Sequence, residues 1–160
     1  MQMNILMVCL GNICRSPLAE GVLSAKAKEK GLKLHVDSAG TAAYHVGEPP
    51  DRRSREVAKK NGIDISGQRA RQFEQEDFDR FDRIFVMDSA NYTDVMALAR
   101  TPADEEKVDM ILNSAYPGKN LNVPDPYYGG EDGFDHVYKM LELSCEKIAE
   151  EINGKQENKD

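Results

Sequence analysis

The chain has 160 residues and a mass of 17.9 kDa, the size of one ordinary domain. Hydrophobic residues make up 40% of it and charged residues 31%, a balance typical of globular rather than disordered or fibrous proteins. Its 21 Lys and Arg against 28 Asp and Glu leave a formal charge of -7, the wrong sign for binding nucleic acid or an anionic membrane through phosphates. We therefore expect neither partner.

The sequence shows no segment that predicts a membrane span or secretion. Its longest apolar run, residues 5–10, is far shorter than the ~18 residues of a membrane helix. The first residues also lack the basic leader of a signal peptide. The 3 cysteines are an odd number, which favours reduced thiols over a disulfide framework. We expect a cytoplasmic protein.

Strands and helices alternate along the chain. Short apolar runs predict the strands at residues 4–8, 34–38, 83–87 and 108–112. Ser16, Asp51 and Ser89 follow or separate these runs and are suitable N-caps for helices. This order predicts an α/β fold: a single-domain, open, twisted four-stranded parallel sheet with right-handed crossovers and helices on both faces.

The last part of the chain is predicted to be an amphipathic helix and a polar tail. Apolar residues at three- and four-residue spacing form the stripe of a helix packed on the sheet, at Phe134, Val137, Leu141, Cys145, Ile148 and Ile152. Because Cys145 lies on this stripe, we interpret it as a buried structural thiol. We expect the domain to span residues 1–153 and residues 154–160 to be a disordered tail.

The segment after the first strand is suited to holding a phosphate group. Successive main-chain N–H groups can curl into a nest around an anion, and the following helix adds its positive end. Gly11 and Asn12 readily adopt the left-handed backbone that such a curl needs. The predicted phosphate-binding residues are Leu10, Gly11, Asn12, Ile13, Cys14, Arg15 and Ser16.

Cys9 and Arg15 bring reactive chemistry to this loop. At the base of the nest, positive potential favours the thiolate of Cys9, and a thiolate can attack phosphorus. The planar guanidinium of Arg15 can hold two phosphate oxygens at once, which Lys cannot do. The hydroxyl of Ser16 is close enough in sequence to hydrogen-bond the thiolate. The spacing of Cys9 and Arg15 is weak evidence alone and gains its weight from the residues around it.

Other interpretations of the loop have less support. The glycine patterns of Walker-type and dinucleotide-binding loops are absent. Cys9 and Cys14 also make a poor zinc set with the scattered histidines, which are His35, His45 and His136. We therefore expect no metal and no cofactor.

Residues 8–17 resemble the phosphate loop of the low-molecular-weight protein tyrosine phosphatases. Further matching segments lie in family order, at residues 37–41, 45–47, 49–51, 70–71, 87–88 and 125–129, so the resemblance covers roughly residues 4–153. It implies a hydrolase that cleaves phosphotyrosine monoesters through a cysteinyl-phosphate intermediate. In this mechanism Cys9 is the nucleophile, Arg15 clamps the transition state, and Asp125 is the general acid and base.

The neighbours of Asp125 agree with that role. Pro124 and Pro126 flank it, and the following proline biases the backbone of Asp125 towards an extended conformation. Its loop follows the fourth predicted strand as the Cys9 loop follows the first. In an open parallel sheet both loops lie at the carboxyl edge, where ligands bind.

The resemblance also implies supporting residues. Asn12, Ser16 and Ser38 would hold the loop in shape, and Cys14 matches a cysteine that can form a reversible disulfide with the nucleophile. Leu10 and Ile13 are expected to line the mouth, with a rim formed by Tyr44, Tyr127 and Tyr128. The chain departs from the family at Gln68, where a His is common, and at Tyr44, where mammalian members commonly have Trp.

The substrate is expected to be phosphotyrosine in proteins, because phosphoserine is too short to reach the bottom of a narrow pocket. Arsenate reductase remains an alternative, but it needs further cysteines and only Cys145 is left. Protein arginine phosphatase is another, although such members tend to have a Thr at the position of Ile13. Arg52, Arg53 and Arg55 are interpreted as a solvated helix face, with contact to acidic flanks of substrates as the alternative. We expect a monomer.

Overall fold

The computed structural model describes residues 2–127 and 129–157. In these residues four strands form one sheet in the order β2-β1-β3-β4, and each strand is parallel to its neighbours. The strands are β1 (Met3–Cys9), β2 (Leu34–Gly40), β3 (Arg83–Val86) and β4 (Val108–Met110). The strand order reverses between β1 and β3, and ligands of open parallel sheets bind at the carboxyl side of such a point. Cys9 is the last residue of β1 and lies there.

Helices connect the strands and cover both faces of the sheet. They are α1 (Arg15–Lys30), α2 (Arg52–Lys60), α3 (Asp77–Arg80), α4 (Ser89–Met96), α5 (Pro102–Glu106) and α6 (Glu131–Glu157). One core cluster joins alternate strand residues such as Ile5 and Phe85 to α1, α2 and α6. The other joins Leu6 and Ile84 to α3 and α4. The predicted α/β architecture is thereby confirmed.

Two predicted helix starts are wrong, by two residues for α1 and by one residue for α4. α1 begins at Arg15 rather than after Ser16, and no side chain caps it, because the Ser16 hydroxyl is engaged elsewhere. Asp88, not Ser89, caps α4 by accepting a bond from the N–H of Asn91 at 2.8 Å. Asp51 caps α2 as predicted, accepting from the N–H of Arg53.

The last helix is longer than the sequence suggests. α6 continues to Glu157, so residues 154–157 are helical rather than part of a disordered tail. Gln156 explains the extension, because its side chain accepts from the N–H of Lys33 at 3.1 Å and donates to the Lys33 carbonyl at 3.3 Å. Residues 158–160 of the predicted tail lie outside the described residues. β4 is shorter than predicted, since a 3-10 turn begins at Ile111.

The apolar stripe of α6 is buried as predicted. Cys145 is fully buried, and its thiol donates to the Ala19 carbonyl at 3.7 Å. Burial raises the pKa of Cys145 to about 12, which fits a structural thiol.

None of the helices in the described residues combines the length and apolar composition that crossing a bilayer requires.

Candidate active site

The loop between β1 and α1 curls tightly because of two residues. Asn12 has a left-handed backbone with φ of 58°, as the sequence predicts, whereas the same prediction for Gly11 is wrong, because its φ is not positive. Gly40, at the end of β2, allows the loop to approach closely: a Cβ at this position would stand 2.7 Å from the Leu10 carbonyl oxygen. The loop therefore packs directly against the neighbouring strand.

The carbonyl groups of the loop are bound to the surrounding chain, which leaves its amides available. Carbonyl oxygens of Cys9, Leu10, Ile13 and Cys14 accept bonds of 2.8–3.2 Å from Thr41, Ala42, Asp51 and Ser54. By contrast, no described residue accepts a hydrogen bond from the N–H groups of Leu10, Gly11, Ile13 or Cys14. Such unpaired main-chain donors form an anion-binding nest.

The Cys9 sulfur lies at the base of this nest, and the Cys9 residue is 2% exposed. It accepts from the N–H of Asn12 at 3.2 Å and lies 3.0 Å from the Ser16 hydroxyl. The Ser16 oxygen accepts from the Asn12 side-chain amide at 2.7 Å, which leaves the hydroxyl hydrogen for the sulfur. The sulfur thus faces two donors, an arrangement that suits a thiolate.

A hydrogen-bonded chain supports Asn12 from behind. Its side-chain amide also donates to Ser38 Oγ at 2.9 Å, and Ser38 Oγ donates to Glu20 Oε1 at 2.7 Å. The N–H of Arg71 donates to Asn12 Oδ1 at 3.0 Å, which fixes the direction of the amide. The loop-supporting arrangement predicted for Asn12, Ser16 and Ser38 is therefore present. Burial raises the pKa of Glu20 to about 7.

Gln68 lies beside this chain but donates to the Pro17 carbonyl at 3.1 Å. Its Oε1 is buried and accepts no hydrogen bond from the described residues. Gln68 therefore contacts the first turn of α1 rather than the residues that hold the sulfur.

Arg15 is buried and its direction is fixed. Its Nη1 donates to Asp88 Oδ2 at 2.7 Å and to the Val123 carbonyl at 2.9 Å. The other terminal nitrogen, Nη2, lies 3.6 Å from Asp125 Oδ2. Asp125 is about one-third exposed and its Oδ1 accepts from the N–H of Tyr127 at 3.0 Å. The guanidinium and the carboxyl group thus reach the same space.

These groups surround one cleft of about 100 Å³. Its lining residues are Cys9, Leu10, Gly11, Ile13, Cys14, Arg15, Tyr44, His45, Asp125 and Tyr127. Asn12 and Ser16 are buried behind them, and Tyr128 of the predicted rim lies outside the described residues. The side chain of Tyr44 is largely exposed. The cleft is small and polar at its base, with aromatic residues at its mouth.

A larger and more open groove of about 590 Å³ lies along the edge of β2. Its cationic residues are already paired, since Arg71 contacts Asp37 and Asp77, and Arg80 contacts Asp77. This groove contains no cysteine. The small cleft at Cys9 is therefore the candidate for chemistry.

Sequence reasoning missed the roles of Asp88, His45 and Arg53. Asp88 both caps α4 and binds Arg15, and its position between the end of β3 and the start of α4 is the local signal. His45 lines the cleft and its Nδ1 lies 2.7 Å from Glu48 Oε2. Arg53 is not on a solvated face as predicted, because it donates to the Tyr127 carbonyl at 3.0 Å.

The described residues contain no group of three or more His, Cys, Asp or Glu that could hold a metal ion. The cleft offers instead a nucleophilic sulfur, a fixed guanidinium, main-chain donors and a carboxyl group. This set can bind a tetrahedral oxyanion and deliver a proton to a leaving group.

Comparison with known proteins identifies the same arrangement of elements elsewhere. A family model described as "Low molecular weight phosphotyrosine protein phosphatase" matches residues 4–158. A low molecular weight phosphotyrosine protein phosphatase of Schizosaccharomyces pombe is 45% identical over 140 residues, which cover 86% of this chain and 88% of the relative. A crystal structure of a protein tyrosine phosphatase from Entamoeba histolytica matches with a TM-score of 0.90 at 38% identity, covering 97% and 99% of the two chains. That of a Drosophila arginine phosphatase matches with a TM-score of 0.86 at 31% identity, covering 93% and 97%.

Proposed function

Since the chain belongs to the low molecular weight phosphotyrosine protein phosphatase family, it is a protein tyrosine phosphatase, and we propose that it acts through a cysteinyl-phosphate intermediate. Cys9 is the nucleophile, Arg15 the phosphate clamp and Asp125 the general acid and base. The observation that carries this proposal is the convergence of the three side chains on one small cleft whose main-chain amides are unpaired.

In the first step, the phosphate group occupies the nest of loop amides, with its oxygens also bound by Arg15. The Cys9 thiolate attacks phosphorus, the S–P bond forms, and the bond to the phenolic oxygen breaks. Asp125 donates its proton to that oxygen, so the leaving group departs as a neutral phenol. Asp88 and Val123 hold Nη1 of Arg15. This keeps the guanidinium aligned and leaves Nη2 available to the phosphate group.

In the second step, Asp125, now ionised, removes a proton from a water molecule. The water oxygen attacks phosphorus, the S–P bond breaks and the electron pair returns to sulfur. The Ser16 hydroxyl lies 3.0 Å from that sulfur and stabilises the thiolate as it leaves. Inorganic phosphate is released and Asp125 is again protonated for the next cycle.

The shape of the cleft favours phosphotyrosine over shorter substrates. Cys9 is buried at its base, whereas Tyr44 and Tyr127 are exposed at its mouth, so an aryl group can bridge the depth and a serine side chain cannot. The similarity to the Drosophila arginine phosphatase raises phosphoarginine as an alternative substrate. The branched side chain of Ile13 narrows the cleft, which disfavours phosphoarginine. Arsenate reduction has less support, because Cys145 is fully buried against Ala19.

We further propose that the enzyme acts in the cytoplasm as a monomer on tyrosine-phosphorylated proteins, without a metal or a cofactor. Its charge of -7 disfavours nucleic acid and anionic membranes as partners. Within the cleft, the local donors outweigh distant carboxylates, because salt screens charges over about 8 Å.

Cys14 is proposed to protect the nucleophile from irreversible oxidation. It lines the same cleft as Cys9, and burial, reinforced by Asp51, raises its pKa to about 12. Cys14 therefore remains a thiol at neutral pH while Cys9 meets the oxidant. Peroxide would convert Cys9 to a sulfenic acid, and Cys14 would displace water from it to form a disulfide that thiols can reduce.

Phosphopeptide hydrolysis by three variants tests the proposed function. Cys9→Ser should abolish turnover, and Asp125→Ala should lose about 10²- to 10⁴-fold, the range of a general acid. Asp94→Ala, an exposed position on α4, is the matched control and should behave as the parent. The parent should cleave phosphotyrosine peptides well ahead of phosphoserine and phosphoarginine peptides. Turnover by Cys9→Ser, or equal rates on phosphoserine and phosphotyrosine, would contradict the assignment.

A further inference from the structure

Arg53 on α2 is held on several sides. Its Nε and Nη2 donate to the two carboxylate oxygens of Asp51 at 3.1 and 3.2 Å. Its guanidinium carbon lies 4.6 Å from the centre of the Phe134 ring and 5.5 Å from that of Tyr127. The side chains of Arg53 and Asp51 are 25% and 13% exposed, so water screens the pair less than it screens an open surface pair.

This pair connects the two loops that carry the reaction. The Tyr127 carbonyl accepts from Arg53 Nη2 at 3.0 Å, and the N–H of the same residue donates to Asp125 Oδ1 at 3.0 Å. On the other side, the N–H of Asp51 donates to the Ile13 carbonyl at 2.8 Å. A continuous set of contacts therefore runs from the phosphate loop through Asp51 and Arg53 to the carboxyl group of Asp125.

The acid-bearing segment, residues 124–127, has an anchor at each end. At its start, Val123 donates its N–H to the Met87 carbonyl at 2.8 Å and accepts from Arg15. At its end, Arg53 holds Tyr127. Because Asp125 itself is exposed, these end anchors decide where its carboxyl group stands above the cleft.

We propose that Arg53 is a positioning residue for the proton transfer: it fixes Tyr127 against Asp51 and so sets the height of the Asp125 carboxyl group above the Cys9 loop. This inference rests on the proposed role of Asp125 as the general acid. Lys cannot substitute fully, because it lacks the planar fork that binds a carboxylate and a carbonyl while stacking between two rings. Arg52, the preceding residue, is 64% exposed and pairs with Glu56 on the surface, so it provides a matched control.

The leaving group supplies the readout that separates positioning from general damage. An aryl phosphate whose phenol has a pKa of about 10, as tyrosine does, needs a proton in the first step, whereas a dinitrophenyl phosphate departs without one. The parameter kcat/KM reports that first step. Arg53→Met should lose about 10- to 100-fold on phenyl phosphate, the scale of an ångström-size misplacement, and less than about threefold on dinitrophenyl phosphate.

Arg52→Met should match the parent on both substrates. Vanadate, which probes the phosphate loop alone, should bind Arg53→Met with unchanged affinity. A loss of equal size on both substrates, or a parallel loss of vanadate affinity, would overturn the proposal. Should Arg53→Met fail to fold, Arg53→Lys decides instead: a smaller loss confined to phenyl phosphate supports the proposal, and equal losses on both substrates refute it.

A double-mutant cycle separates this proposal from the function on which it rests. In an Asp125→Asn background, Arg53→Met should cause no further loss of kcat/KM on phenyl phosphate, because the carboxyl group that Arg53 positions is already absent. If the double variant instead shows the product of the two single losses, Arg53 acts by another route. If Asp125→Asn alone lost nothing on phenyl phosphate, the role of Asp125 would fail, whatever Arg53 does.

Discussion

Replacing Gly40 by Ala should distort the phosphate loop from a residue that does not contact substrate. Gly40 is the last residue of β2 and pairs with Cys9. A Cβ here would stand 2.7 Å from the Leu10 carbonyl oxygen and 3.1 Å from the Asn12 nitrogen. Gly40 cannot retreat easily, since its N–H donates to the Arg71 carbonyl at 2.9 Å and its carbonyl accepts from Phe73 at 2.7 Å. The loop is therefore the part that moves.

The size of the effect follows from those distances. Carbon–oxygen contacts between neighbouring strands are normally about 3.3–3.6 Å, so the Leu10 carbonyl must move by roughly half an ångström or more. Overpacking of this kind costs about 1–3 kcal/mol of stability. Because the moved atoms include the donors of the nest, we expect kcat/KM to fall by about 10- to 100-fold.

Urea unfolding measures the loss of stability, whereas vanadate affinity and phosphotyrosine turnover measure the distortion of the phosphate loop. Gly67→Ala is the matched control, because a Cβ at that exposed position would have no heavy atom within 4 Å beyond Gly67 itself and its two chain neighbours. It should leave activity unchanged and stability within about 0.5 kcal/mol. If Gly40→Ala loses stability but binds vanadate and turns over as the parent does, β2 yields rather than the loop, and the reasoning is refuted.

Two further predictions concern titration and oxidation. Burial raises the pKa of Glu20 from its ordinary 4.5 to about 7. Between these pH values the folded protein keeps a proton that the unfolded chain releases, so the free energy of unfolding should fall as the pH rises. Glu20→Gln should flatten that dependence in urea unfolding at about pH 5 and pH 8, and an unchanged slope would exclude Glu20 as its source. Cys14→Ser should regain less activity than the parent when a thiol follows peroxide treatment, and equal recovery would exclude the protective disulfide.

The nucleophile loop is predictable from sequence because its chemistry is local. Cys9, Asn12 and Arg15 lie within a stretch of seven residues, and each residue type favours the backbone or the charge that the loop needs. Arg53 behaves differently, since its acceptor at Tyr127 is separated from it by 74 residues. On α2 it is indistinguishable from its neighbour Arg52 until the tertiary fold brings Phe134 and Tyr127 beside it.

Asp88 shows why a correct motif can hide a second role. An Asp between a strand and a helix is a sufficient N-cap, and it does cap α4 through Oδ1. Its other oxygen binds Arg15 at 2.7 Å, and nothing in its local sequence requires this. Capping fixes the carboxylate, which in turn fixes the guanidinium. A local structural device thus positions a group of the active site.

Ser16 gives the converse case. Its residue type predicts a helix cap, yet its hydroxyl contacts Cys9 and Asn12 instead. Helix α1 therefore begins with no side-chain cap and no acidic residue in its first turn. An unsatisfied helix start costs stability in an ordinary protein. Here the same unpaired amides and the positive end of α1 face the cleft, where a phosphate dianion satisfies them. The local rule fails at the position where substrate binding requires free donors, so the missing cap itself marks the site.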